Sequence, residues 1–417
     1  MEPKNSSHLM PIVLRPEAVM VRGQGSYLWD TSGRRYLDFL QGWAVNALGH
    51  CAPEVTGALR EQSGQLLTAS PALYNAPGLK LAARLAELTG LDEVAFTNSG
   101  AEANEIAIKL ARKWGRLHRR GAYEVITTQN AFHGRTLATM AASGKPGWDE
   151  LFPPNPTGFR RVPFGDLEAV SQAISPSTSA IMVEPVQGEG GVVVPPAGYL
   201  RGLRELADEQ NLLLILDEVQ TGLGRTGTLF AHETAGIRPD VLTLGKGLGS
   251  GVPIAAVVAN HRGSVFEPGD HGGTYHGNPL VTAVALRVLE TISDPEFLRG
   301  VRARAEWLGN QLGALARRHG CPGVRTAGLL CALELPEPVA EQVRDACFRR
   351  GLLLNAPRPH LLRFMPSLRV SEAEIDEMAK SLDSALDLVL GGKAREHTLV
   401  QVDRPTAGQS RRACGAR

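Results

Sequence analysis

Three short runs in the middle of the chain are almost wholly apolar: Ala180-Ile-Met-Val183, Leu212-Leu-Leu-Ile-Leu216 and Val241-Leu-Thr-Leu244. A strand that is apolar on both faces needs cover on both faces, and the usual solution is a parallel sheet between two layers of helices. The surrounding pattern agrees. From about Leu79 to Val258 helix-like and strand-like segments alternate: Leu81 to Leu88 and Ala103 to Trp114 have helical spacing, and Glu93-Val-Ala-Phe-Thr97 reads as a strand. In the second helix Ile106, Ala107, Leu110 and Ala111 form one apolar stripe. Strands alternating with helices give an α/β fold.

The rest of the chain reads differently. Tyr27-Leu-Trp-Asp30 and Arg35-Tyr-Leu-Asp38, separated by Ser32-Gly33, form a hairpin pattern near the start. After about Leu280 long helices follow. One opens at Asp294-Pro295-Glu296, with cap, proline and acid in favoured places, and another at Ser371-Glu-Ala-Glu374, a capping-box pattern. Short strands are expected around Leu329 to Leu335 and Leu361 to Met365. A chain of 417 residues is long enough for two domains. We expect residues 1–50 to contribute to a smaller α+β domain, 51–285 to form the large domain and 286–392 the rest of the small one. Residues 393–417 lose periodicity and are expected to be a disordered tail. It ends in Arg411-Arg-Ala-Cys-Gly-Ala-Arg417, too few charges to favour a nucleic-acid-binding arm.

Charge and cysteine content narrow the class of protein. Lys and Arg together number 44 against 43 for Asp and Glu, so no overall field points to nucleic acid or a membrane surface. Lys109 and Lys113 lie on a helix and are read as solvated. The five cysteines are scattered without a C-x-x-C pair, which argues against a disulfide framework or a zinc site. Met1 to Met10 lacks the apolar core of a signal peptide, and no run approaches the ~20 apolar residues of a membrane span. A soluble, cytoplasmic protein without a metal site is the expectation.

Ligands of open α/β sheets bind outside the C-terminal ends of the strands. Three such ends carry polar groups. The strand ending at Thr97 runs into Asn98-Ser-Gly-Ala101 and a helix start, whose free N–H groups and dipole suit an anion such as phosphate. An ordinary capped helix start is the alternative there. The dinucleotide fingerprint G-x-G-x-x-G is absent, and Asp240 and Gly247 rule out a P-loop around Gly245-Lys246. Lys246, between glycines after an apolar strand, sits in a poor place for a solvated charge. Burial lowers an amine's pKa and frees it to attack a carbonyl, although a snorkelling lysine reads the same way locally. Asp217 follows a buried strand, and a buried carboxylate needs a partner. Together these residues suggest a pyridoxal 5'-phosphate site: lysine for the aldehyde, aspartate for the ring nitrogen, the Asn98–Ala101 turn for the phosphate.

Five segments then carry a resemblance: Thr97-Asn-Ser-Gly-Ala-Glu-Ala-Asn104, Ala131-Phe-His-Gly-Arg-Thr136, Glu184-Pro-Val-Gln-Gly-Glu-Gly-Gly191, Leu216-Asp-Glu-Val-Gln-Thr-Gly222 and Gly273-Thr-Tyr-His-Gly-Asn-Pro279. In this order they resemble the class III pyridoxal-phosphate-dependent aminotransferases. Val45-Asn-Ala-Leu-Gly-His50 and the context of Arg135 resemble the acetylornithine branch in particular. The resemblance runs from about Pro16 to Leu390. It implies a fold-type I enzyme, a homodimer with active sites at the interface, and a place in arginine biosynthesis.

By the same resemblance Lys246 binds the cofactor covalently and later moves the substrate proton, and Asp217 keeps the ring nitrogen protonated. Gln220 contacts the 3′ oxygen and Phe132 stacks on the ring. Ser99, Gly100 and Ala101 hold the phosphate, reached also by Thr274 of the neighbouring subunit. Arg135 would clamp the donor's α-carboxylate and Arg363 that of 2-oxoglutarate, with Glu189 pairing with Arg363 while the donor is bound. Gly273 falls in the substrate segment, where Gly272-Gly273 departs from relatives that often carry a hydroxyl residue.

The implied reaction moves the distal amino group of N2-acetyl-L-ornithine to 2-oxoglutarate. Succinylornithine, ornithine, acetyllysine and 4-aminobutyrate remain alternative donors, since a pocket change worth ~1–3 kcal/mol redirects preference. A decarboxylase or a mutase on the same fold shares Lys246 and Asp217, but two carboxylate clamps favour transamination. A non-catalytic binding protein would have little use for the lysine, the aspartate and the phosphate turn together.

Overall fold

The computed structural model describes residues 8–402, with side chains to residue 391. Its centre is a seven-stranded sheet in the order Glu93–Thr97, Ala255–Ala259, Val241–Leu244, Leu213–Asp217, Thr178–Val183, Glu124–Thr128, Phe159–Val162. Every pairing is parallel except the two made by Ala255–Ala259. That one reversed strand leaves Glu93–Thr97 pointing the same way as the parallel strands. The ends at Thr97, Val183, Asp217 and Leu244 therefore lie along one edge of the sheet.

The apolar runs behave as side-chain alternation requires. Ala180, Met182, Leu213 and Ile215 face one way, packing against Ala103, Ile106, Ala107, Leu110 and Trp114 of the helix Gly100–His118. Ile181, Val183, Leu214 and Leu216 face the other, into a larger core that includes Leu81, Leu85, Leu203 and Val284. Each central strand is thus buried on both sides.

Two smaller sheets flank this body. The hairpin Tyr27–Asp30/Arg35–Asp38 forms as expected and is extended by Met20–Gln24 and, in parallel, by Leu352–Leu353. Residues from before and after the central sheet therefore share one small sheet. The second is antiparallel, in the order Gly323–Ala327, Leu330–Glu334, Leu361–Phe364, Asn355–Arg358. The caps read from sequence are present. Asp294 accepts from the Glu296 amide at the start of Pro295–Arg318, and Ser371 and Glu374 exchange the two bonds of a capping box. The boundary expected at residue 285 falls inside the helix Pro279–Ile292.

The last helix, Glu372–Val402, runs ten residues into the stretch for which disorder was expected. Ala394, Arg395, Glu396 and Leu399 are good helix formers, so intrinsic propensity extends the helix past its apolar periodicity. Residues 403–417 lie outside the described residues. Lys113 is not solvated: its side chain is 11% exposed and its ammonium pairs with Glu267 and Asp270. Among the described residues no helix is long and apolar enough to cross a membrane.

Candidate active site

Asp217 closes its strand with a buried carboxylate that four donors approach. Oδ2 accepts from Asn104 Nδ2 at 2.7 Å and meets His133 Nδ1 at 2.8 Å. Oδ1 accepts from the Val219 amide at 3.0 Å and Thr243 Oγ1 at 3.4 Å. Strand register makes part of this arrangement, since Asp217 stands directly opposite Thr243, whose hydroxyl also donates to Asn104 Oδ1 at 2.8 Å. Burial works against a charge on His133, but the hydrogen bond and charge of Asp217, with Glu184 behind, raise its pKa. The Nε2 of His133 has no partner among the described residues.

Lys246 follows the neighbouring strand in a tight turn with φ of +40°, a left-handed conformation that costs free energy for any residue with a side chain. The turn is held against the Val45–His50 segment, where the Leu48 amide donates to Ser250 Oγ at 3.0 Å. Just before it, Gln41 to Ala44 all have positive φ, so backbone strain collects on this side of the cleft. Burial lowers the Lys246 pKa to about 8. Glu189 opposes the shift, Arg363 adds to it, and Asp217 and Glu184 oppose it more weakly. About a tenth of the amine is then neutral at pH 7, against well under a hundredth for an ordinary lysine.

Glu189 and Arg363 form an ion pair, and the arginine is fully buried. Arg363 also donates from Nε to Asn355 Oδ1 at 2.9 Å, while its Nη1 has no partner among the described residues. Burial alone would raise the Glu189 pKa, but Arg363, then Lys246 and Lys145, hold it below the ordinary carboxylate range. Glu189 rides on a loop whose base is an isolated bridge between Gln187 and Val193, and Gln187 is pinned to Thr128 and Gln129.

Arg135 stands at the margin of this group, exposed, with its guanidinium 5.8 Å from the Trp148 ring centroid. Lys145 approaches the same ring at 5.1 Å, and Phe132 meets it edge-on at 5.8 Å. The Asn98–Ala101 turn starts the helix Gly100–His118. Ser99 caps it by accepting from the Glu102 amide, and the Glu102 carboxylate accepts from the Asn98 amide. The amides of Gly100 and Ala101 are left for an outside acceptor.

Thr274 and Gly273 lie on the loop that leads into the helix Pro279–Ile292, not at the end of a sheet strand. Thr274 is exposed on a loop beside the helix start, where His276 Nε2 lies 3.8 Å from Glu102 Oε1 and Asn75 Nδ2 donates to the Gly277 carbonyl at 2.9 Å.

These residues fit a flat, phosphorylated ring. Both polar atoms of the buried Gln220 amide lack partners among the described residues, which leaves its N–H free for a ring oxygen. A Cβ on Gly100 would stand 2.6 Å from Val219 Cγ1, and one on Gly188 would stand 1.7 Å from Gln220 Oε1, so a side chain at either position would push aside a neighbour that faces the site. Asn104, His133, Glu184 and Val219 were given no role from sequence. All four lie inside the quoted motifs, which is the signal that marks them.

A family model described as "Aminotransferase class-III" matches residues 12–386. The chain is 53% identical over 384 residues to an acetylornithine aminotransferase of Bordetella bronchiseptica, covering 91% of this chain and 97% of the relative. Among solved structures, it resembles the ornithine aminotransferase of Toxoplasma gondii with a TM-score of 0.86 at 33% identity, 95% of each chain being covered. It resembles the N-acetylornithine aminotransferase of Stenotrophomonas maltophilia with a TM-score of 0.81 at 35% identity, over 94% of this chain and all of the other.

Proposed function

The chain belongs to the class-III aminotransferase family, and on that premise we propose that it transfers the distal amino group of N2-acetyl-L-ornithine to 2-oxoglutarate, giving N-acetyl-L-glutamate 5-semialdehyde and L-glutamate. Its cofactor is pyridoxal 5'-phosphate. The observation that carries the reading is the buried Glu189–Arg363 pair acting on the same lysine as Asp217. When bound, the cofactor supplies an aldehyde for the amine and a ring that takes up the electrons of the broken C–H bond.

The chain's own residues do the rest. Lys246, partly neutral, is the group that bonds the aldehyde and, once released, carries the proton from the donor's reacting carbon. Asp217 holds its charge toward the ring nitrogen, and Asn104, His133 and Thr243 fix its direction. With the cofactor bound, Phe132 would stack on the ring, Gln220 would meet its oxygen, and Ser99, Gly100 and Ala101 would receive the phosphate. Arg135 reads the donor's α-carboxylate at the far end, with Trp148 behind it. Arg363 reads the α-carboxylate of 2-oxoglutarate after Glu189 leaves it. Gly273 borders the substrate, and Thr274 of the partner subunit completes the phosphate site in a homodimer. The working compartment is the cytoplasm, in arginine biosynthesis.

Purified protein with bound cofactor should show a visible absorption band that bleaches with N2-acetylornithine and returns with 2-oxoglutarate. A band that ignores acetylornithine but bleaches with succinylornithine, ornithine or 4-aminobutyrate would keep the chemistry and replace the donor. No band after cofactor addition would overturn the reading.

A further inference from the structure

Glu184 lies between the two halves of the site and touches both. It follows the strand Thr178–Val183 and is 5% exposed. Its Oε2 accepts from the Phe132 amide at 3.0 Å, and its Oε1 accepts from the Gly188 amide at 3.3 Å. Phe132 is the aromatic wall. Gly188 is the residue before Glu189, and its carbonyl accepts the Val192 amide at 3.3 Å, closing the loop that carries Glu189. One carboxylate thus ties together two backbones that belong to different tasks.

We propose that Glu184 is a positioning residue that links the aromatic wall to the Glu189 loop, so that its ionisation sets how firmly Glu189 is held on Arg363. An ionised carboxylate makes hydrogen bonds about twice as strong as a neutral acid does. A protonated Glu184 therefore grips the Gly188 amide less well and lets the loop move. The groups facing Glu184 are His133 and Asp217 on the ring side and Lys246 across the cleft. Burial, the largest influence, raises its pKa to about 7. His133 opposes this, Asp217 adds to it, and the two backbone bonds oppose it. Its charge therefore changes within the working range of a cytoplasmic enzyme.

The sign follows from the two substrates. The donor is used with Glu189 on Arg363, whereas 2-oxoglutarate needs Arg363 free. Protonating Glu184 favours 2-oxoglutarate at the donor's expense. The inference rests on the aminotransferase reading, and the two half-reactions separate its failure from that of the reading.

The test follows each half-reaction by cofactor absorbance in the holoenzyme, between about pH 6 and pH 8. The donor KM divided by the 2-oxoglutarate KM should rise about fivefold on going to the lower pH, the worth of one net hydrogen bond. Glu184→Gln should hold the high ratio at every pH, and in a Glu189→Gln background it should change the ratio no further. Three outcomes overturn the proposal: Glu184→Gln keeping the wild-type pH dependence, slowing both half-reactions alike, or acting undiminished on top of Glu189→Gln. If Glu184→Gln does not fold, a wild-type ratio that stays flat overturns it, as does a change that survives in Glu189→Gln. If it changes in wild type and is abolished by Glu189→Gln, the proposal stands. Absence of both half-reactions in the wild type counts against the aminotransferase reading instead.

Discussion

Asp217 and Glu189 both act on Lys246, yet they are held in opposite ways. Asp217 ends a strand in the middle of the parallel sheet, with Asn104, His133, Thr243 and the Val219 amide converging on it. Glu189 sits among Gly188, Gly190 and Gly191, and Arg363 is its one hydrogen-bonding partner among the described residues. A carboxylate fixed by several partners keeps its direction through every step. One fixed by a single partner can exchange that partner for another anion. The buried guanidinium must keep a counter-charge in either case, so a substrate carboxylate is the natural replacement. The sheet supplies the unchanging part of the chemistry, and the loop supplies the part that alternates between two substrates.

The largest test lies between the two. Lys246→Ala removes the amine that both carboxylates act on, and turnover should fall by at least about a thousandfold, with neither half-reaction spared. A variant that keeps one half-reaction near wild-type rate would place the proton-moving group elsewhere.

Next comes the contrast itself. Asp217→Asn keeps the shape and removes the charge. It should lower both half-reactions alike, by about a hundredfold, because the stabilisation it removes serves every substrate. Glu189→Gln weakens the ion pair to Arg363. It should raise the donor KM by about tenfold, the loss of one charge-assisted bond, and lower the 2-oxoglutarate KM, because Arg363 is then held less firmly. Measured half-reactions that respond equally to both replacements would break the comparison.

Sequence made the fixed region legible and the alternating one much less so. The central strands stand out because runs such as Leu212–Leu216 have no polar face, and Lys246 and Asp217 are conspicuous as charges set directly after such runs. The reversal of Ala255–Ala259 has no such mark, since an apolar buried strand reads alike in either direction. The orientation of Asp217 depends on Asn104, 113 residues away, and His133, 84 residues away, and no local pattern announces contacts that only the fold closes. Glu184 is similar, for its bond to the Phe132 amide spans 52 residues. The start of the final helix is legible in its capping box, but its continuation over 393–402 is not, because those residues have helix propensity without an apolar stripe.

The smallest effect separates Glu184 from Glu189 by stability alone. The Glu184 pKa is raised in the folded protein to about 7 from an ordinary value near 4.5. Between those values the folded state binds the proton that the unfolded state has lost. Stability from this group is therefore fully present below the unfolded value and is lost as pH rises through about 7. The Glu189 pKa is lowered, so its contribution is present above the unfolded value and is lost only as pH falls below it. From about pH 5 to pH 7.5, the melting temperature of Glu184→Gln relative to wild type should climb steadily and then level. The slope is at most about 1.4 kcal/mol per pH unit, or a few degrees in all. Over the same window the difference for Glu189→Gln should stay flat, because that carboxylate is ionised in both states. A flat curve for Glu184→Gln would mean that the buried acid does not change charge near neutrality, and the pH dependence of its hold on the Glu189 loop would fall with it.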